Sequence, residues 1–113
     1  MIADKQKATF FSFAAKPEWI VKPMDLSAGL RSLVTIPCKA YGIPSITYDW
    51  YFNGDLVGSS SKFSFIGGNL TIIDLSSAES GMYQCVARNK HGEIYSSMEL
   101  KVQGWFIISY IFD

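Results

Sequence analysis

Gly81-Met82-Tyr83-Gln84-Cys85-Val86-Ala87-Arg88-Asn89-Lys90-His91-Gly92-Glu93-Ile94-Tyr95 is the stretch on which the reading of this chain turns. Inward-type and outward-type residues alternate from Met82 to Asn89 and again from Ile94, the period-two pattern of half-buried strands. Asn89-Lys90-His91-Gly92 interrupts the pattern as a hairpin turn, with its glycine expected in the left-handed position. The same alternation continues outward through Glu18 to Val21, Leu33 to Ala40, Ile46 to Phe52, Lys62 to Ile66, Asn69 to Leu75 and Ile94 to Val102, and no long helical period intervenes. Asn53-Gly54 and Gly67-Gly68 supply the positive φ angles of tight connections. Pro37 removes a ladder donor in mid-strand, which places it beside a break in the neighbouring edge strand. Short strands with turn signals at this spacing specify an all-β sandwich or barrel.

Three residues narrow that choice. Cys38, Trp50 and Cys85 fall in the order and spacing of an immunoglobulin domain, with Trp50 in a strand whose inward positions read as Ile46, Tyr48 and Trp50. Tyr83 stands two positions before Cys85, where a tyrosine corner sets its hydroxyl against backbone upstream. Leu70, Ile72, Leu75, Glu79, Gly81, Ala87, Asn89, Gly92, Leu100 and Val102 complete a pattern that resembles the intermediate set of the immunoglobulin superfamily. The resemblance implies an immunoglobulin-like Greek-key β-sandwich, two antiparallel sheets bridged by a Cys38–Cys85 disulfide, with Trp50, Tyr83 and Leu70 as the core signature. Glu79 departs from it, because the family usually has Asp there. That departure puts the short hydrogen bonds of the turn before the Tyr-x-Cys strand in question. A narrower likeness lies in Pro17-Glu18-Trp19-Ile20-Val21-Lys22-Pro23 and in Tyr83 to Tyr95, which resemble the fourth ectodomain immunoglobulin domain of contactin, neurofascin and neuroglian-type neural cell adhesion molecules. It implies a neuronal cell-surface receptor whose first four immunoglobulin domains fold back into a horseshoe.

Composition bounds the function. A chain of 113 residues fits one domain. Its 10 basic and 10 acidic side chains give no net charge to attract nucleic acid or an anionic membrane. Residues 16–103 are expected to form the domain, with a non-domain flank over 1–15 and an apolar tail over 104–113. Lys5 and Lys7 before the run Ala8 to Ala15 imitate a signal peptide only weakly. Trp105 to Phe112 is far short of the ~20 residues that cross a bilayer as a helix, so no direct membrane insertion by this segment is expected. A sandwich complete at Val102 has no place for Phe10, Phe11, Phe13, Trp105, Phe106 or Phe112. Both flanks therefore read as translated intron sequence, the competing reading being a signal remnant at one end and an extra strand or partner-binding segment at the other.

No catalytic constellation is visible. Glu79, Asp74 and Asp25 form no recognisable acid–base pair, Ser76, Ser77 and Ser80 lack a candidate base, and His91 sits alone in a turn. Without a Cys-x-x-Cys or a second histidine, neither a metal site nor a cofactor is expected. The expectation is a non-enzymatic module. Its disulfide argues for an oxidising, extracellular compartment, and Asn69-Leu70-Thr71 is a glycosylation sequon whose asparagine should point outward. The outward face of the sheet containing Trp50 and Cys85 carries Asp49, Tyr51, Gln84, Val86, Arg88 and Tyr95, an interface-like mixture, with Arg88 able to pair with Asp49 or Glu99. Protein partners follow: homophilic or heterophilic cell-surface receptors, and neighbouring immunoglobulin domains. An intracellular muscle-type domain of the titin and twitchin kind, serving as a spacer, shares the fold and is the alternative.

Overall fold

The computed structural model describes residues 13–104. The flank readings on residues 1–12 and 105–113, with the apolar run Trp105 to Phe112, lie outside the described residues. Ten strands are present among the described residues: β1 (Ala15–Val21), β2 (Leu26–Gly29), β3 (Val34–Ile36), β4 (Lys39–Ile43), β5 (Thr47–Phe52), β6 (Asp55–Leu56), β7 (Phe63–Ile66), β8 (Asn69–Ile72), β9 (Gly81–Asn89) and β10 (Gly92–Gln103). A single turn of 3-10 helix, Ser77–Glu79, precedes β9. One sheet has the order β2-β10-β9-β5-β6. Facing it are two ladders, β1-β4 and β3-β8-β7, joined through the chain at Pro37-Cys38.

The run expected as one strand from Leu33 to Ala40 is divided because Pro37 has no N–H to donate. β3 ends at Ile36 and β4 starts at Lys39. Val21 is the last residue of β1 paired with β4, opposite Lys39, so the edge strand leaves its ladder where Pro37 interrupts the other. Beyond Lys22-Pro23 the chain crosses to the other sheet and resumes as β2, parallel to β10 with Leu26 opposite Leu100 and Gly29 opposite Gln103. Local periodicity did not signal β2 or the two-residue β6.

The core lies between the layers. Ile36, Leu70 and Ile72 from one side meet Trp50, Tyr83, Cys85, Met98 and Leu100 from the other, all under 2% exposed. The Cys38–Cys85 disulfide crosses this space with its Cα atoms 6.6 Å apart. Trp50, paired with Cys85 along β5 and β9, fills the adjoining volume and donates its indole N–H to the Gly68 carbonyl at 2.7 Å. That carbonyl lies in the hairpin joining β7 to β8. The Cys38 N–H, at the end of the β3 ladder, is accepted instead by the Asn69 side-chain Oδ1 at 3.2 Å. Gly68 owes its identity to close approach: a Cβ there would meet the Cys38 carbonyl at 2.2 Å and the Tyr48 ring at 2.7 Å. Of the pair Gly67-Gly68, only Gly67 has a positive φ, 59°.

Tyr83 anchors the opposite end. Its hydroxyl donates to the Glu79 carbonyl at 2.7 Å, and its ring stacks on Phe52 with centroids 4.5 Å apart. The Glu79 side chain, 8% exposed, accepts from the Ser76 N–H at 2.8 Å and the Ser76 hydroxyl at 2.9 Å. Lys62 Nζ stands 3.3 Å from the same oxygen. Glutamate thus makes the turn's short bonds here by reaching back to its own N-cap, a capping box. At the other pole Asn89 donates Nδ2 to the carbonyls of Ala15 (2.8 Å) and Pro44 (3.0 Å) and accepts the His91 N–H on Oδ1 at 2.9 Å. This last bond shapes the β9–β10 turn with Gly92 paired to Asn89 in the ladder. Gly92 does not take the left-handed conformation expected of it.

Deleting a large buried aromatic costs about 3–5 kcal/mol, and forcing extra volume into a packed interior about 1–3 kcal/mol. Trp50→Ala and Gly68→Ala should lower the unfolding free energy by those amounts, read from denaturant midpoints; a Gly68→Ala variant as stable as the parent would refute the close approach. Glu79 supplies a pH test. Burial disfavours its carboxylate, but the hydrogen bonds from Ser76 and the Lys62 ammonium outweigh that and hold its pKa below the usual 4.5. With the folded pKa below the unfolded one, its stabilisation is present above 4.5 and is lost as pH falls through the folded value. The stability gap between the parent and Glu79→Gln, measured by denaturant titration, should therefore be full at neutral pH and shrink on acidification.

Candidate functional site: the outward face of the β5-β9-β10 sheet

Three adjacent antiparallel strands bring the outward side chains into rows. Thr47, Arg88 and Glu93 form one, Asp49, Val86 and Tyr95 the next, and Tyr51, Gln84 and Ser97 the third. Each row follows from strand alternation, because Trp50, Cys85 and Ala87 point into the core and their neighbours must point out. The register thus brings Asp49, Tyr51, Gln84, Val86, Arg88 and Tyr95 together on one face.

Arg88 organises the face. Its Nη1 donates to Asp49 Oδ2, in a salt bridge across β5 and β9, while Nε donates to Glu93 Oε2 at 3.1 Å. The Tyr95 hydroxyl donates to the other oxygen of Glu93. Electrostatics agree with this geometry: Glu93 and Asp49 raise the Arg88 pKa above its ordinary value, the hydrogen bond to Glu93 contributing most. The bonds from Tyr95 and then Arg88 hold the Glu93 pKa below the carboxylate range, and Glu93 pushes the Tyr95 phenol up. Both Arg88 and Asp49 side chains remain 38% exposed, so solvent screens the pair and the network orders the face more than it stabilises the fold.

One sequence expectation needs correction, and another is met by one of its two alternatives. Val86 is 1% exposed, so it forms the floor of the face, in the row between Asp49 and Tyr95, and does not itself present a surface. Arg88 pairs with Asp49, one of the two partners expected, and also with Glu93. The backbone N–H of Glu99 instead donates to Asp25 Oδ1 at 2.7 Å. Sequence reasoning missed Glu93, although the two-residue turn Lys90-His91 sets it directly opposite Arg88. Tyr95 is 55% exposed, Met82 flanks the face at 49%, and Tyr51, Gln84, Asp49 and Arg88 are half-buried. Such a surface combines aromatic area with pre-oriented polar groups, the mixture found at protein interfaces. Asn69, expected to point outward, is half-buried with its Oδ1 engaged by Cys38. Among the described residues no group of His, Cys, Asp and Glu side chains is arranged to hold a metal ion, and no helix is long and apolar enough to cross a membrane.

Comparison with known proteins adds the context. Residues 16–89 match the family model described as immunoglobulin domain. The chain is 41% identical over 91 residues to contactin-3 of Rattus norvegicus, covering 80% of this chain and 9% of that protein. It is 44% identical over 89 residues to contactin-2 of Homo sapiens, covering 79% and 9%. The chain therefore spans about a tenth of the length of these curated relatives. Among solved structures, the tandem Ig repeats of Dlar superpose with a TM-score of 0.76 at 29% identity, covering 80% of this chain and 50% of that one. Titin M4 superposes with a TM-score of 0.73 at 24% identity, covering 81% and 100%, a likeness of fold alone.

Because the Tyr95 hydroxyl is the first cause of the depressed Glu93 pKa, Tyr95→Phe should raise the pH at which Glu93 titrates. Carboxyl chemical shifts followed by NMR through the acid range would show it, and an unchanged titration would dissolve the proposed network.

Proposed function

Since the chain belongs to the immunoglobulin domain family, we propose that it is an extracellular protein-binding module of a neuronal cell-adhesion protein, one of several such domains in tandem. It binds partner proteins through the outward face of the β5-β9-β10 sheet and adjoining immunoglobulin domains through its poles. The contactin relatives carry this reading, because the likeness runs through the whole sandwich. Two structural features support it. The buried Cys38–Cys85 disulfide suits an oxidising compartment, and the Arg88–Glu93 network holds Tyr95 on a face ordered before any partner arrives, which lowers the entropic cost of association. A titin- or twitchin-like intracellular spacer shares the sandwich, and the titin M4 likeness speaks to that sandwich only.

Tyr51→Ala, Arg88→Ala and Tyr95→Ala should each keep the melting transition near the parent's and weaken adhesion of beads or cells displaying the domain within its tandem array. Undiminished adhesion by all three would move the contact to another surface. Compartment is tested separately: intact mass of alkylated, non-reduced protein from its native source should show no free thiol on Cys38 or Cys85, and two modified cysteines would establish the intracellular alternative.

A further inference from the structure

Asn69 opens β8, and Asn69-Leu70-Thr71 is an acceptor sequence for N-linked sugar. The two ends of its side-chain amide have separate fates. Oδ1 accepts the Cys38 N–H at 3.2 Å, closing the ladder where Pro37 interrupts it. Nδ2 bonds to no side chain or backbone group among the described residues. No buried side-chain nitrogen or oxygen among them lacks a partner, so Nδ2 is not sealed from solvent. It is Nδ2 that carries a glycan. A sugar on that nitrogen leaves the amide oxygen as good an acceptor as before, so modification and the Cys38 bond are compatible.

We propose that Asn69 is a glycosylation site of the exported protein, and that its glycan lies over the outward face of the β3-β8-β7 ladder. In the transfer, Nδ2 bonds to the anomeric carbon of a lipid-diphosphate-linked oligosaccharide, the carbon–oxygen bond to the diphosphate breaks, and Nδ2 releases one proton. Space is available. Ile66, paired with Asn69 across the hairpin, is 75% exposed, and a Cβ built on the adjacent Gly67 meets nothing within 4 Å. An exposed isoleucine beside the attachment point offers the apolar faces of the first sugars a contact that water would otherwise hold.

The structure also sets the order of events. In the folded domain Thr71 is paired with Thr35 on one side and Ser64 on the other, and its hydroxyl bonds to the Thr35 hydroxyl at 3.0 Å. An acceptor sequence locked between two strands is closed to an enzyme that must handle both the asparagine amide and the threonine hydroxyl. Transfer therefore precedes pairing of β8 with β3 and β7. Once the sandwich closes, the glycan shields one sheet and leaves the Arg88 face of the other open to partners; this last step rests on the extracellular reading above.

The test uses the full chain, exported from eukaryotic cells behind a cleavable leader, with Thr71→Ala and Thr71→Ser beside the parent. All three keep Asn69 and its bond to Cys38. Parent and Thr71→Ser should run as a slower species that collapses on treatment with an amidase specific for N-glycans, which leaves Asp in place of Asn69 in the peptide mass; Thr71→Ala should show neither change. Secreted, disulfide-bonded parent with an unmodified Asn69 overturns the site. A second arm offers the bacterially made, disulfide-bonded chain to microsomal transferase, folded and after reduction and denaturation. Modification of the unfolded form alone is expected, and equal modification of the folded form overturns the order of events. Export is forced in the first arm, so failure there leaves the compartment to the thiol measurement.

Discussion

The Gly68 carbonyl is the acceptor around which the centre of this sandwich is arranged. Trp50 takes it. The indole is thereby satisfied in the core, where an unpaired N–H would cost roughly 1–3 kcal/mol. The Cys38 amide, just past the end of the β3–β8 ladder, donates to the Asn69 side chain. With its amide held there, Cys38 points at Cys85 and the sheets are bridged. By the chain-entropy account, closing a loop of 47 residues is worth about 4 kcal/mol, a large share of the ~5–15 kcal/mol that holds a domain together.

The two sheets answer to different demands. On the β3-β8-β7 side the strands are short and tied by small hydroxyl contacts such as Thr35 to Thr71. Across the core, β9 and β10 are the longest strands and carry the ordered charge network. Length matters because a continuous ladder fixes register over many rows, and register places Arg88 between its two carboxylates. A one-residue slip would send Arg88 into the core and Ala87 out, which the burial of Cys85 and Trp50 forbids.

Much of this was legible from side-chain period and spacing. The sandwich class and the Cys38–Cys85 bond follow from residues whose chemistry tolerates few alternatives in a two-layer core. What stayed hidden belongs to other scales. β2 is four residues long and pairs in parallel with a strand at the other end of the domain, a non-local event that no local periodicity encodes. Alternation says that Val86 points outward, but its near-complete burial depends on how large neighbours such as Tyr95 lie across the face. Glu93 as a partner of Arg88 needed the turn length, and the Asn69–Cys38 bond needed the break that Pro37 puts in the ladder. Gly92 misled for a similar reason, since the Asn89 side chain performs the work expected of a left-handed glycine.

The parallel pairing of β2 with β10 has a mechanical consequence. Both strands run in the same direction, so tension applied at Ala15 and Gln103 pulls them in opposite senses along their length. The rungs from Leu26–Leu100 to Gly29–Gln103, with the Leu30 N–H to Gln103 carbonyl bond at 3.0 Å, would then be loaded together in shear and not peeled one at a time. Ahead of them, Asn89 clasps the Ala15 carbonyl and must be pulled free first. Tension between the two poles would thus meet a patch loaded in shear, with the disulfide limiting how far the chain could extend if that patch gave way.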